Sequence, residues 1–162
     1  MKATVLTKYG TPDDLELGEV EKPFPKDDEL LIEVHASAVH DWDWGILRSK
    51  PLYIRVFTGL WRPKIPIMGC DVAGRIEAVG TGVTRLKAGT DVYGDLSESG
   101  LGGFAEYVCA REGSVAPKPT NVTYEQAVAV PHAPMLAQQA LRDIGQMREG
   151  QTLLININGA GR

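Results

Sequence analysis

The sequence predicts a mainly β fold with some α, in the form of a small β-barrel followed by the opening of a second, α/β unit. Three observations carry that expectation. Short β-branched runs punctuated by glycine and proline fill most of residues 1–119. An alanine-, glutamine- and leucine-rich stretch follows at 123–147, and the apolar run after it meets a glycine turn in "LLININGAGR", Leu153 to Arg162. At 162 residues, 43% hydrophobic and 23% charged, the chain has the composition of a globular unit able to bury a core.

The elements follow in order. "ATVLTKY", "DLELGEV" and "ELLIEVHASAV" read as strands, separated by Gly10, Pro12, Pro23, Pro25 and the acidic run Asp27 to Glu29. In the third, Leu31 to Val34 are largely apolar and Ala36, Ser37 and Ala38 are small, which suits a central strand closely packed by its neighbours. Residues 48–64, "RSKPLYIRVFTGLWRPK", hold five basic residues and no acidic one, with Tyr53, Phe57 and Trp61 at four-residue spacing. Two readings stand here: a loop and short helix whose aromatics pack inward, or a rim for an anionic or aromatic ligand.

From Ile65 onward, glycines at 69, 74, 80, 82, 89 and 94 punctuate β-branched runs, as close backbone packing at barrel corners requires. "GGFAEYVCAREGSVAPKP" adds two strands and ends in prolines that cannot continue a ladder. Thr120, Asn121 and Thr123 offer capping oxygens ahead of Glu125, predicting a helix interrupted at Pro131 and Pro134 and resumed through Leu141. A turn, an apolar strand and the glycine turn complete the order. The shift in composition places a domain boundary between residues 121 and 122.

Composition excludes some functions. A formal charge of −4 and a pI near 5.4 argue against a nucleic-acid partner, and no segment approaches the apolar length of a bilayer span. "MKATVLTKYG" lacks the apolar stretch of a secretory signal, so a cytoplasmic location is expected. Cys70 and Cys109 do not resemble a disulfide framework, which suits reduced thiols.

"GCDVAGRIEAVGTGVTRLKAGTDVYG", "GGFAEYV" and "EGQTLLI" leading to "NGAG" together resemble the medium-chain dehydrogenase/reductase superfamily, specifically its zinc-independent, quinone-oxidoreductase-like branch. The resemblance spans essentially the whole chain and rests on several motifs in order, whereas the final glycines alone would be weak. It implies a GroES-like β-barrel catalytic domain at 1–121 and, at 122–162, an incomplete start of a Rossmann domain, one helix and one strand. Family members of full length are about twice as long. NADPH, or NADH, is the implied cofactor of the full-length protein, held by a glycine turn to which Gly159, Ala160 and Gly161 correspond. Gly159 and Gly161 fit the first two glycines of the fingerprint, and Arg162 stands before the third. The chain also reads "LLININGAG" where the family runs "LLINGAG", an inserted pair that lengthens the strand and displaces the turn. The sequence is accordingly expected to be a truncated form, inactive or weak by itself.

The resemblance also frames the metal question. Zinc members of the superfamily take ligands from an early cysteine, a histidine in "GHE" and a later residue; here His40, Cys70 and His132 stand at or near those places. His and Cys are legitimate zinc ligands, so this set is the alternative to a metal-free site. The quinone-oxidoreductase branch carries "NPVD" where this chain has His40, Asp41, Trp42 and Asp43, and the expectation is no metal, with zinc unlikely. A hydride acceptor then requires an apolar cleft with a few orienting polar groups, for which the matching positions nominate His40, Asp43, Trp44 and Tyr53 as catalytic candidates. His40 would hydrogen-bond the acceptor or supply a proton, since imidazole titrates near neutrality. The expected partner is a small-molecule quinone, enone or carbonyl substrate, with no nucleic acid and no membrane. Apolar surface on the incomplete second unit predicts a homodimer or other self-association. The reading from a different class is a noncatalytic GroES-like module used for binding or self-association.

Overall fold

The computed structural model describes residues 1–64 and 66–155, without the Phe57 side chain. Seven strands, β1 (Lys2–Leu6), β2 (Leu15–Glu19), β3 (Glu29–Ala38), β4 (Asp71–Val79), β5 (Asp91–Asp95), β6 (Tyr107–Arg111) and β7 (Val115–Pro117), form two sheets. β1 pairs with β2, and the five others run antiparallel in the order β6-β3-β4-β5-β7. The mainly β, GroES-like expectation is borne out, including an interior place for β3.

β3 is central because both of its faces find apolar cover. Leu30 and Ile32 are fully buried in a cluster with Val72, Ile76, Val92, Leu96 and Val108, where each large side chain contributes about 2 kcal/mol by leaving water. Ala36 and Ala38 face a second cluster made by Ala73, Ala127 and Val128, so the small residues admit a helix against the sheet. Register shifts at Leu31/Ile32 and Val34/Ala36 bend the β3–β4 pair, as bulges do. Gly74 sits where the two strands approach most closely: a Cβ there would collide with the Glu33 carbonyl oxygen.

Four short helices attach to this frame: α1 (Asp41–Arg48), α2 (Ile54–Thr58), α3 (Tyr124–Val128) and α4 (Ala133–Gln138), the last continuing as a π-helical run, Gln139–Ile144. α3 opens with the predicted capping box, Thr123 Oγ1 accepting from Gln126 N at 3.2 Å and Gln126 Oε1 from Thr123 N at 3.0 Å. The interruption expected around Pro131 and Pro134 separates α3 from α4. Residues 151–155, expected as a strand, pair with none of the described strands, and Leu154 is 90% exposed.

The inward-packing reading of the aromatics at 53 and 61 is overturned. α2 covers only five residues, with Tyr53 as its cap and Trp61 beyond its end. Ile54 and Thr58, one turn apart, take the buried positions, while Tyr53 and Trp61 are 66% and 93% exposed.

Candidate active site

The amino end of α1, the start of β4, the end of β5 and the approach to α4 converge at one end of the sheet. α1 begins where it does because His40 and Asp43 cap it reciprocally: Trp42 N donates to His40 Nδ1 at 3.1 Å, and His40 N donates to Asp43 Oδ2 at 3.2 Å. Asp43 is 2% exposed, and its other oxygen accepts from Gly69 N at 3.0 Å, which ties the helix to the strand that follows. Gly69 has φ +99°, and a Cβ there would meet the backbone at Phe104, so only glycine presents its N–H this way.

His40 has a defined protonation pattern in this network. Because Nδ1 accepts from a backbone N–H, the neutral ring carries its proton on Nε2. Nε2 is buried without a hydrogen-bond partner, 3.9 Å from Asp43 Oδ2 and 4.0 Å from Asp71 Oδ2, and Asp71 Oδ1 is likewise buried and unpartnered. Burial pushes the Asp71 carboxyl up to about 6, partly offset by nearby His40.

His132 lies flat against His40, ring centroids 4.1 Å apart and planes within 5°. Its Nδ1 is 2.9 Å from Asp95 Oδ2. Burial works to raise Asp95, but hydrogen bonds from Ser97 and His132 prevail and hold its carboxyl below the usual range. His132 and Asp95 open onto a cavity of about 1090 Å³ whose wall includes Trp42, Tyr93, Met135 and Leu136. That wall mixes these apolar residues with charged ones, among them Asp28, Arg85, Glu98, Arg111 and Glu112.

The sequence candidates distribute unevenly around this cavity. His40 and Asp43 come together as expected, behind His132 rather than on the wall. Trp44, 45% exposed with the Arg48 guanidinium 4.8 Å from its ring, and Tyr53 stand outside the lining. Gly159, Ala160 and Gly161 lie outside the described residues. Asp71 and Asp95 were not singled out from sequence; only the carboxylates' position beside the "GCD" and "YGD" glycines hinted at strand ends.

The alternative zinc set does not fit as arranged. Among the described residues, His40, Asp43 and Cys70 place donor atoms within 4.8 Å of one another, as do His40, Asp41 and His132, but Cys70 and His132 fall in separate groups. Zinc needs an imidazole lone pair aimed at it in the ring plane, and two parallel stacked rings cannot both aim at one ion. His40 Nδ1 already serves the helix cap and Nε2 bears the proton. Burial, reinforced by the Asp43 charge, pushes the Cys70 thiol up to about 12, away from the thiolate a metal would take.

The antiparallel sheet thus carries a histidine–carboxylate cluster and an adjoining cavity at one end. The chain belongs to the alcohol dehydrogenase GroES-like domain family, which residues 26–120 match. It is 35% identical to a chloroplastic quinone-oxidoreductase homolog of Spinacia oleracea, covering 94% of this chain and 46% of the relative. It is 34% identical to an NADPH-dependent alkenal/one oxidoreductase, chloroplastic, of Arabidopsis thaliana, over 99% of this chain and 42% of the relative. The solved quinone oxidoreductase from Coxiella burnetii superposes with a TM-score of 0.81 at 26% identity, covering 93% of this chain and 46% of that one. The medium-chain, quinone-oxidoreductase-like resemblance is thereby established, and the chain spans about half the length of the curated relatives it matches. No helix among the described residues is long and apolar enough to cross a membrane.

Proposed function

We propose that this chain is the substrate-side portion of an NADPH-dependent, or NADH-dependent, oxidoreductase that reduces a quinone, enone or carbonyl compound. Residues 1–121 form the catalytic domain in this reading, and residues 122–162 open the nucleotide-binding one, with Gly159, Ala160 and Gly161 against the pyrophosphate. The reduced nicotinamide, when bound, supplies the hydride. Cys70 and Cys109 are free thiols, which suits a reducing compartment such as the cytoplasm.

The observation that carries the reading is the His132–Asp95 pair on the wall of a cavity that Trp42, Tyr93, Met135 and Leu136 also line. Asp95 fixes the orientation of the His132 ring through Nδ1, leaving Nε2 as the atom able to reach an acceptor oxygen. Reduction of an enone or quinone places negative charge on that oxygen; His132, as the imidazolium with Nδ1–H held by Asp95, gives up its Nε2 proton to quench it and is left as the neutral ring protonated on Nδ1. His40, whose Nε2 is buried, backs the His132 ring by stacking, while Asp43 holds His40 through its backbone N–H. Trp42 lines the cavity where a planar acceptor would lie, and Trp44 and Tyr53 stand outside it. No metal takes part, in keeping with the poor fit for zinc.

A titration of ¹⁵N-labelled chain with tetramethyl-1,4-benzoquinone, which cannot alkylate the thiols by ring addition, tests this. Saturable shifts should concentrate at Trp42, Tyr93, Asp95 and His132. No saturable shift, or shifts confined to another surface, would overturn the assignment of the cavity.

A further inference from the structure

Residues 48–64 contain five cations and no acid, in a chain whose 21 acidic residues outnumber its 17 basic ones. Arg48, Lys50, Arg62 and Lys64 are exposed and, among the described residues, none is within ion-pair distance of a carboxylate, whereas Arg55 is held by Ser49 Oγ at 2.7 Å. The apolar residues between them face outward. Leu52 and Val56 and, beyond the helix end, Leu60 are 71%, 67% and 64% exposed, and Tyr53 and Trp61 accompany them. On an ordinary surface helix the outward positions are polar and the inward ones apolar. Here Ile54 and Thr58 take the inward face, and the outward residues are left largely in solvent. Exposed aliphatic residues with Trp and Tyr, bordered by Arg and Lys, make the surface that settles at a lipid headgroup boundary.

We propose that the surface formed by Leu52, Tyr53, Val56, Leu60 and Trp61, with the cations Arg48, Lys50, Arg62 and Lys64 around it, docks the protein peripherally on an anionic phospholipid bilayer. Charge complementarity selects this occupant. The apolar residues enter the headgroup–acyl boundary while the cations meet lipid phosphates and carboxylates. Such docking departs from the expectation of no membrane partner, which addressed spanning segments, and it stands independently of the proposed redox chemistry.

The test is co-sedimentation of the 162-residue chain with vesicles of pure phosphatidylcholine and with vesicles containing about 30% phosphatidylserine, at low and at high salt. The expected result is binding to the anionic vesicles alone, weakened by salt and lowered roughly tenfold or more in the Arg62→Glu/Lys64→Glu double variant. Brominated acyl chains should quench tryptophan emission in the wild type and much less in Trp61→Phe, which reports the depth of insertion separately from the charge effect. Should a charge variant misfold by circular dichroism, the wild-type comparison of the two lipid compositions and the Trp61→Phe quenching still decide the matter. No sedimentation with anionic vesicles would overturn the proposal, as would equal binding to neutral ones. It would also fail if sedimentation velocity showed the same surface buried in a dimer that dissociates in the double variant without any lipid binding.

Discussion

Asp71 carries a buried carboxyl whose Oδ1 has no partner, and it makes the protein's stability depend on pH in a definite direction. Its folded value of about 6 lies above the usual 3.8. Between those values folding takes up a proton, so the contribution is favourable at low pH and is lost as pH rises through about 6. Replacing Asp71 with Asn removes the buried charge at neutral pH. The variant should be more stable than wild type at pH 7.5 by about 1–3 kcal/mol, a few degrees in Tm, with the difference vanishing below about pH 4. Thermal melts of both proteins across that range check this; a constant offset would contradict it. Asp43 is bound differently: both of its oxygens accept from backbone donors. Asp43→Ala should cost about 2–4 kcal/mol in urea unfolding, because it orphans two N–H groups and the cap of α1. His40 and Asp43 were legible in "AVHDWD" because they belong to one local motif. The His132–Asp95 pair was not, since a contact across 37 residues is set by how α4 is delivered to the end of β5.

The strands were readable as elements because their β-branched runs and glycine breaks are local properties. The short helices were less so. Tyr53, Phe57 and Trp61 have helical spacing, yet α2 ends after Thr58 at Gly59, whose φ of +120° takes the chain out of the helix. Burial was decided there by Ile54 and Thr58, which sequence spacing did not single out. Residues 151–155 show the same limit in strand form: apolar character is local, but a strand needs a neighbour, and the described residues provide none. At this scale the glycines give the sharpest forecast. Gly69→Ala would force a left-handed backbone and a collision at Phe104, breaking the link from Asp43 to the strand, and should destabilise by about 3 kcal/mol or more. Gly113→Ala, where a Cβ meets nothing within 4 Å, should unfold within about 0.5 kcal/mol of wild type. Equal denaturation midpoints for the two variants would contradict this account of the corner.

As a whole molecule the chain leaves much apolar surface open beyond residue 132. Leu136 and Ile144 are 52% and 83% exposed, and Leu154 and Ile155 extend the same character. The isolated chain should therefore self-associate as its concentration rises, and Ile144→Asp/Leu154→Asp should shift it toward monomer in sedimentation velocity. A wild type that stays monomeric at high concentration would refute that expectation. The family was legible because "GCDVAG" and "GGFAEYV" encode corners that the barrel cannot make otherwise, whereas the side of the molecule that would hold a cofactor is read from the resemblance and the relatives. The central claim, that these residues form the substrate side of a nicotinamide-dependent reductase, is tested most directly by joining residues 1–162 to the unmatched remainder of the NADPH-dependent Arabidopsis thaliana relative. NADPH consumption would then be followed at 340 nm with quinones and enones. The account predicts turnover that falls about 100-fold in His132→Ala with NADPH affinity unchanged. A folded fusion that binds NADPH yet reduces no quinone, enone or carbonyl compound would contradict it.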